Sequence, residues 1–420
     1  MTTAALRERV DGLMRKNRRV AGEHMYTVPS PEHYPFQWLW DSCFHAIILS
    51  HLDPALARAE LRSVLAKPLA SGLIPHMIYW EDSYEGVKWG REKQGDLLSA
   101  AWGVHGVSSI TQPPVIATAV WQLHVREPDA AFIREIYPML RAHYLALLSE
   151  RSFGPSGLLG IINPDESGED NSPRFDSLQG LPPRHDPVEN FSKRIERVRE
   201  HVACNFDVQN CMVHRFWVED VSFNAISIRG LEALSRIARE IGDVNDAVLF
   251  SLSAQQLRTS MQLHMKRGTR YYSLQGESEE EVIVDTWTLF MPLFAELLHP
   301  EEAKELIETA LLDKRSFFTK YPVPSVSRRE PSYTDDDLWR GPTWAAANWF
   351  IYKGLLNYGY DDVASTIRER TIELLDRSGF REFYNAETGE GYGAHEFTWG
   401  GLVLDMDGEK LGVPTSPRAS

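Results

Sequence analysis

Apolar residues recur at three- and four-residue intervals along most of the chain, and Pro or Asp opens many of these runs. Thr2 to Arg18 reads as an amphipathic helix, and Asp41 to His51 as an apolar one with small residues mixed in. Pro54 to Lys67 carries its Pro in the first turn and is stopped by Pro68. Pro113 to Val125 follows the same plan with a long Ile/Ala/Val/Leu face. The pattern predicts further helices over 129–150, 219–241, 244–266, 286–298, 300–312, 342–357 and 361–377. Strand-like alternation is short and scattered, as in Tyr271 to Leu274. No low-complexity linker or composition shift marks a domain boundary, and no residue-level repeat is found.

Helices that arrive in pairs suit either an open solenoid or a ring of hairpins closed on itself. The residues least typical of a core fall in loops, at 34–41, 76–89, 163–174, 333–342 and 380–399. Closure brings such loops to one mouth, whereas a solenoid strings them along a face. The expectation is a single all-α domain over 1–420, a closed toroid of about twelve helices. A charged, Pro-containing insertion near 176–212 is hard to place in it.

Composition narrows the partners. The 420 residues carry a net charge of −15, which argues against nucleic acid and anionic membrane as partners. No stretch nears the roughly 18 apolar residues of a membrane span, and the start lacks the pattern of a signal peptide, so a cytoplasmic location is expected. Homo-oligomerisation is left open. Cys43, Cys204 and Cys211 are an odd number without a CxxC pair, which points to neither a disulfide framework nor a zinc site. The 12 Trp, 15 Tyr and 18 Phe are a rich aromatic supply.

Several chemistries drop out: there is no HExxH, GxSxG or Walker loop. Gly389-Glu390-Gly391-Tyr392-Gly393 lacks the strand and helix of a dinucleotide loop, and Asp335-Asp336-Asp337 lacks the rest of a calcium-ligand series. What remains is loops that mix carboxylates with aromatics and amides. That mixture suits sugars, whose C–H faces stack on rings and whose hydroxyls need polar partners. Glycosidic cleavage needs one protonated and one ionised carboxyl. Two clusters can supply them: Asp165, Glu166, Glu169 and Asp170, and then Glu382, Glu387, Glu390 and Glu396. Chemistry alone does not choose within either.

The loops resemble those of the inverting (α/α)6-barrel glycosidases of glycoside hydrolase family 63. The resemblance is carried in order by Gln37-Trp38-Leu39-Trp40-Asp41-Ser42, Gln112-Pro113-Pro114, Glu166-Ser167-Gly168-Glu169-Asp170, Trp339-Arg340-Gly341-Pro342, Glu382-Phe383-Tyr384-Asn385 and Phe397-Thr398-Trp399. Each motif is weak alone, and together they span nearly the whole chain. The short length and the loop entering Asp41 most resemble the family's bacterial mannosylglycerate and glucosylglycerate hydrolases. The resemblance implies hydrolysis of a small anionic hexosyl glycerate without cofactor or metal, Asp170 as general acid and Glu382 as general base, with Glu396 as the alternative base. Another small α-glucoside or α-mannoside, or a sugar epimerase on the same toroid, is the alternative reading.

The expected sugar contacts are Tyr34, Trp38, Leu39, Trp40, Asp41, His76, Gln112, Gly168, Leu338, Trp339, Arg340 and Glu396. Glu166 and Glu169 are expected to raise the pKa of Asp170 by their charge. Tyr84 and Trp89 are expected to lie in a flap over the mouth. A glycerate carboxylate needs a local cation, and Arg194 or Arg197, which the period of the dense basic stretch 191–199 places on one helical face, is expected to hold it, Arg194 preferred.

Overall fold

The structure is a computed structural model that describes residues 2–80 and 106–412, plus the backbone of two short strands at 88–89 and 92–93. Tyr84 and the Trp89 side chain lie outside the described residues.

The described chain is mainly helical. The principal helices are α1 (Thr3–Asn17), α2 (Leu39–Leu52), α3 (Pro54–Leu65), α4 (Ile116–Arg126), α5 (Ala130–Glu150) and α6 (Pro187–Ala203). They continue with α7 (Val221–Ile241), α8 (Val244–Ser260), α9 (Pro300–Leu306), α10 (Ala345–Asn357) and α11 (Asp361–Ser378). Aspartate starts many of them for a local reason. Asp53, Asp129, Asp220 and Asp243 each accept a hydrogen bond from a first-turn N–H that has no partner within its helix.

Several predicted helices differ at their ends or interior; 300–312, for example, is α-helical only to Leu306. The α4 helix begins at Ile116 with Val115 as its N-cap, and Pro114 disfavours a helical conformation at Pro113. The 286–298 segment breaks into a 3-10 turn, Trp287–Phe290, and one α-turn, Met291–Phe294. Residues 342–344 are held extended by exchange of backbone hydrogen bonds between Thr343 and Tyr384. The Tyr271–Leu274 alternation belongs to two small sheets. The larger pairs Glu280–Val282, Ser273–Gln275, Val218–Glu219 and Gly160–Ile161 in that order, all antiparallel.

Contacts among the helices run in a cycle. α2 packs on α4, α4 on α7, α7 on the Met291–Phe294 turn, and that turn on α10. α10 packs on the 3-10 segment Thr398–Leu404, which returns to α2. α1, α3, α5, α8 and α11 lie against members of this cycle. Burial follows the same division: residues 39–50 of α2 and 345–356 of α10 are buried on every face. A helix apolar all round has no solvent face to present.

The 176–212 region contains α6, which extends well beyond the helical basic stretch expected at 191–199. Asp186 caps it and Pro187 opens it. Cys204 and Cys211 form a disulfide just beyond its C-terminus, where the cysteine count and spacing had pointed to no disulfide framework. The turn after α6 brings their Cα atoms to 5.6 Å, within bridging reach. Cys43 is free and buried. No helix among the described residues is long and apolar enough to cross a membrane.

Candidate active site

The sequence-predicted loops converge on one cavity. Tyr34, Trp38, Trp40, Asp41, His76, Gln112, Gly168, Asp170, Arg194, Leu338, Trp339 and Glu382 all line it. Its walls also include Pro29, Met77, Tyr79, Asp165, Phe191, Ile195, Val198, Trp344, Phe397 and Trp399.

The loop that bears Asp170 is built on three anchors. Asn163 caps the 3-10 turn Pro164–Ser167 by accepting from the Asp165 N–H. Glu166 is buried and ties this loop to its neighbours, accepting from the N–H groups of Thr111 (3.0 Å) and Ile162 (2.8 Å) and from Arg151 (2.7 Å). Glu169 points the other way. It accepts from Arg174 (2.7 Å) and from the Trp287 indole (2.8 Å), and burial lifts its pKa to about 7. These two acids are therefore structural and do not supply the charges facing Asp170. Burial raises the Asp170 pKa first. Asp165 and Asp337 add to the rise, and Arg194, 2.5 Å away, opposes it.

Gly168 has φ +72°, and a Cβ there would sit 2.3 Å from the Trp40 ring. The glycine thus lets the acid loop close against Trp40, a contact inside the protein where the sequence suggested room for the sugar.

Glu382 stands on the hairpin Arg381–Tyr384/Gly391–His395, at a register irregularity between Arg381 and Phe383. One carboxylate oxygen accepts from the Tyr34 hydroxyl (2.6 Å) and the other from the Ala394 N–H (2.7 Å). Burial raises its pKa to about 7 against the lowering effect of those two donors. Gly393 has φ +64°, and a Cβ there would lie 2.4 Å from the carboxylate. The glycine-rich 389–393 segment is thus part of the seat of Glu382.

Asp41 lies in the first turn of α2 and accepts from the Trp399 indole (2.7 Å). Burial raises its pKa to about 6. Gln112 uses its carbonyl oxygen to accept the Trp40 N–H, which leaves its amide donors for the cavity. Burial depresses the His76 pKa to about 4, so its ring is neutral near pH 7. Trp339 stacks on Trp344 with centroids 4.0 Å apart and planes 2° from parallel, and Trp399 meets Trp40 edge-on at 5.0 Å. The result is an aromatic wall whose rings hold one another in place.

α6 presents Phe191, Arg194, Ile195 and Val198 to the cavity, at the i, i+3, i+4, i+7 spacing of one helical face. Arg194 donates through Nε to Asp165 (2.8 Å) and forms an ion pair through Nη2 with Asp170 (2.5 Å).

Four expected contacts do not line the cavity. Arg197 is on the flank of that face, where it pairs with Glu200 and the Arg215 carbonyl. Arg340 is buried in a bidentate pair with Asp176 (3.0 and 2.8 Å) and also donates to the Asn171 carbonyl, so it braces the acid loop from behind. Glu396 turns outward to an ion pair with Lys16, its backbone at φ 54°. Leu39 is fully buried at the start of α2, its N–H donating to the His76 carbonyl. Periodicity could have found Phe191, Ile195 and Val198 once α6 was recognised. Among the described residues no cluster of His, Cys, Asp and Glu could hold a metal ion.

Two carboxyls brought from distant segments to one aromatic-walled cavity are what glycosidic cleavage requires. Comparison with known proteins agrees. The profile of the mannosylglycerate hydrolase MGH1-like glycoside hydrolase domain matches residues 34–400. A mannosylglycerate hydrolase of Thermus thermophilus is 30% identical over 92% of this chain and 96% of its own. A glucosylglycerate hydrolase of Mycolicibacterium hassiacum is 27% identical over 91% of this chain and 94% of its own. The crystal structure of a GH63 mannosylglycerate hydrolase from Thermus thermophilus with Tris and D-glycerate superposes with a TM-score of 0.84 at 28% identity, covering 96% of this chain and 99% of that one. The chain therefore belongs to the family of MGH1-like glycoside hydrolases.

Proposed function

We propose that this glycoside hydrolase is a single (α/α)6-barrel domain that cleaves mannosylglycerate, glucosylglycerate or both to hexose and glycerate with inversion. The observation that carries the reading is the pairing of Asp170 and Glu382, distant in the chain, in one cavity. Asp170 protonates the glycosidic oxygen as it leaves, and Glu382 takes a proton from the water that attacks the anomeric carbon. Burial raises the pKa of both carboxyls, that of Glu382 to about 7, which brings the base into the range where it exchanges protons near neutrality. Asp41, Gln112 and His76 hold sugar hydroxyls, and Trp40, Trp339 and Trp399 bound the sugar face. Arg194 is the cation for the glycerate carboxylate. The relatives named for these substrates support that choice.

The test is incubation with each hexosyl glycerate, followed by an assay for free hexose and proton NMR in the first minutes. An α-linked substrate is expected to give the β-anomer first. Early α-hexose overturns inversion, and no hexose from either substrate overturns the substrate class.

A further inference from the structure

The guanidinium of Arg194 bridges two cavity carboxylates. Nε is 2.8 Å from Asp165 Oδ1, and Nη2 is 2.5 Å from Asp170 Oδ2. This arrangement conflicts with the role of Asp170. A general acid must arrive at the reaction carrying a proton, while a guanidinium at ion-pair distance favours the ionised carboxylate. Apart from the Asp170 backbone N–H, which also favours the carboxylate, the surroundings favour the proton. Asp165 faces Asp170 from its own loop, Asp337 from the 333–342 loop and Glu382 from the C-terminal hairpin, all acidic, while Tyr34 adds a neutral hydroxyl from the early loop. Arg194, from α6, is the one cation among these described neighbours.

We propose that Arg194 is a charge switch operated by the substrate. The carboxylate of the leaving group takes Nη2 away from Asp170 while Asp165 keeps Nε, and the released Asp170 becomes the protonated acid. The proposal rests on the reading of a hexosyl glycerate substrate and adds that the aglycone anion arms the catalyst as well as being bound by it.

The protons balance as follows. On binding, Asp170 takes one proton from solvent as its ion pair is exchanged for one between Arg194 and the substrate. During cleavage the bond from the anomeric carbon to the glycosidic oxygen breaks, and that oxygen receives the Asp170 proton. A bond to the water oxygen forms, and Glu382 receives the water proton. Glu382 then returns its proton to solvent. When glycerate departs, Arg194 pairs with Asp170 again. Asp165 acts here as a positioning residue: tethered at Nε, the guanidinium need not leave the site to change partner.

A neutral aglycone of the same shape leaves the switch off, so it suffers in turnover and not only in affinity. Removing Arg194 then has opposite effects on two substrates. Arg194→Met is expected to weaken mannosylglycerate, raising its KM, while raising kcat on the neutral analogue mannosylglycerol several-fold above wild type. The basic limb of the kcat–pH profile for mannosylglycerol is expected at lower pH in wild type than in the variant, because the pair with Arg194 favours the ionised acid. Asp165→Asn, with Arg194 still present, is expected to shift the limb for mannosylglycerate.

The experiment begins with wild-type hexose release from mannosylglycerate; if none is seen, the substrate reading itself fails, and this inference with it. With release established, kcat is measured against pH for both substrates in wild type and Arg194→Met. In parallel, D-glycerate and glycerol are titrated into wild type and Asp170→Asn by calorimetry in buffers of different ionisation heat. Proton uptake with glycerate that is lost in Asp170→Asn supports the switch. Equal wild-type kcat for the two substrates, or a mannosylglycerol kcat in Arg194→Met at or below wild type, overturns it and leaves the substrate reading standing.

Discussion

Tyr34→Phe removes one hydroxyl and leaves the rest of its surroundings intact. The ring meets Trp38 and Phe397 edge-on at 5.6 and 5.7 Å, contacts a phenylalanine keeps. The lost group donates to Glu382 at 2.6 Å, and it does so as a neutral hydroxyl, since burial and the Glu382 charge push the Tyr34 pKa well above its usual value. A hydrogen bond to an ionised group is worth about 1.5–3 kcal/mol. The Ala394 N–H remains on the other oxygen, so the lower end applies. That is about one pKa unit. The sign follows from which form is favoured: the donor stabilises the carboxylate, and its loss raises the pKa of Glu382 further above about 7. A base with pKa near 7 is about half ionised at pH 7, and one unit higher leaves roughly a tenth, so kcat/KM at pH 7 should fall about fivefold. At pH 9 it should be nearly unchanged. The assay is hexose release from a hexosyl glycerate between pH 5 and 9. A uniform loss at every pH, with the acidic limb in place, would refute the argument and make Tyr34 a contact for the substrate only.

Asp170→Asn and Glu382→Gln should each lower kcat on the order of 10²–10⁴-fold while circular dichroism and melting stay close to wild type. Gly393→Ala, whose Cβ would press on the Glu382 carboxylate, should lower kcat by displacing the base, with a smaller effect on KM. Gly168→Ala combines a φ of +72° with a clash on Trp40 and should destabilise the protein by roughly 1–3 kcal/mol, read as a lower midpoint in urea. Arg340→Met leaves Asp176 buried without its partner and should cost about 3–5 kcal/mol, with activity lost as the acid loop loosens.

Much of the helical order is legible along the chain, because Asp and Pro mark the starts and the apolar period marks the inward face. Only the basic middle of α6 was legible, because charge dominates its composition, although Asp186 and Pro187 carry the same start signal as Asp53 and Pro54. Site residues on short, motif-bearing loops were legible as a set: Asp41, Gln112, Asp170 and Glu382 meet in one cavity. Direction was not legible. Glu382 and Glu396 lie on one hairpin segment, and only the backbone turn at Glu396 sends that side chain outward to Lys16. Arg194 and Arg197 share a helix, yet the three-residue step is enough to move one from the cavity wall to the flank. The pairing of Cys204 with Cys211 depends on the turn that ends α6, which no spacing rule for the cysteines contained.

The polar contacts that make the site join the two ends of the chain. Tyr34 meets Glu382, Asp41 meets Trp399, and His45 meets Thr398 at 2.7 Å, each across more than three hundred residues. A ribosome therefore has to translate beyond Glu382 before any of these bonds can form. Until the 380–404 segment docks, the chain holds an acid without its base and an Asp41 without its indole donor. Contacts so distant in sequence are slow to find one another, so catalytic competence should be the last property gained in refolding, after the helical signal has returned. Hexose release, followed against time from denaturant, is thus a clock for the closing of the two ends.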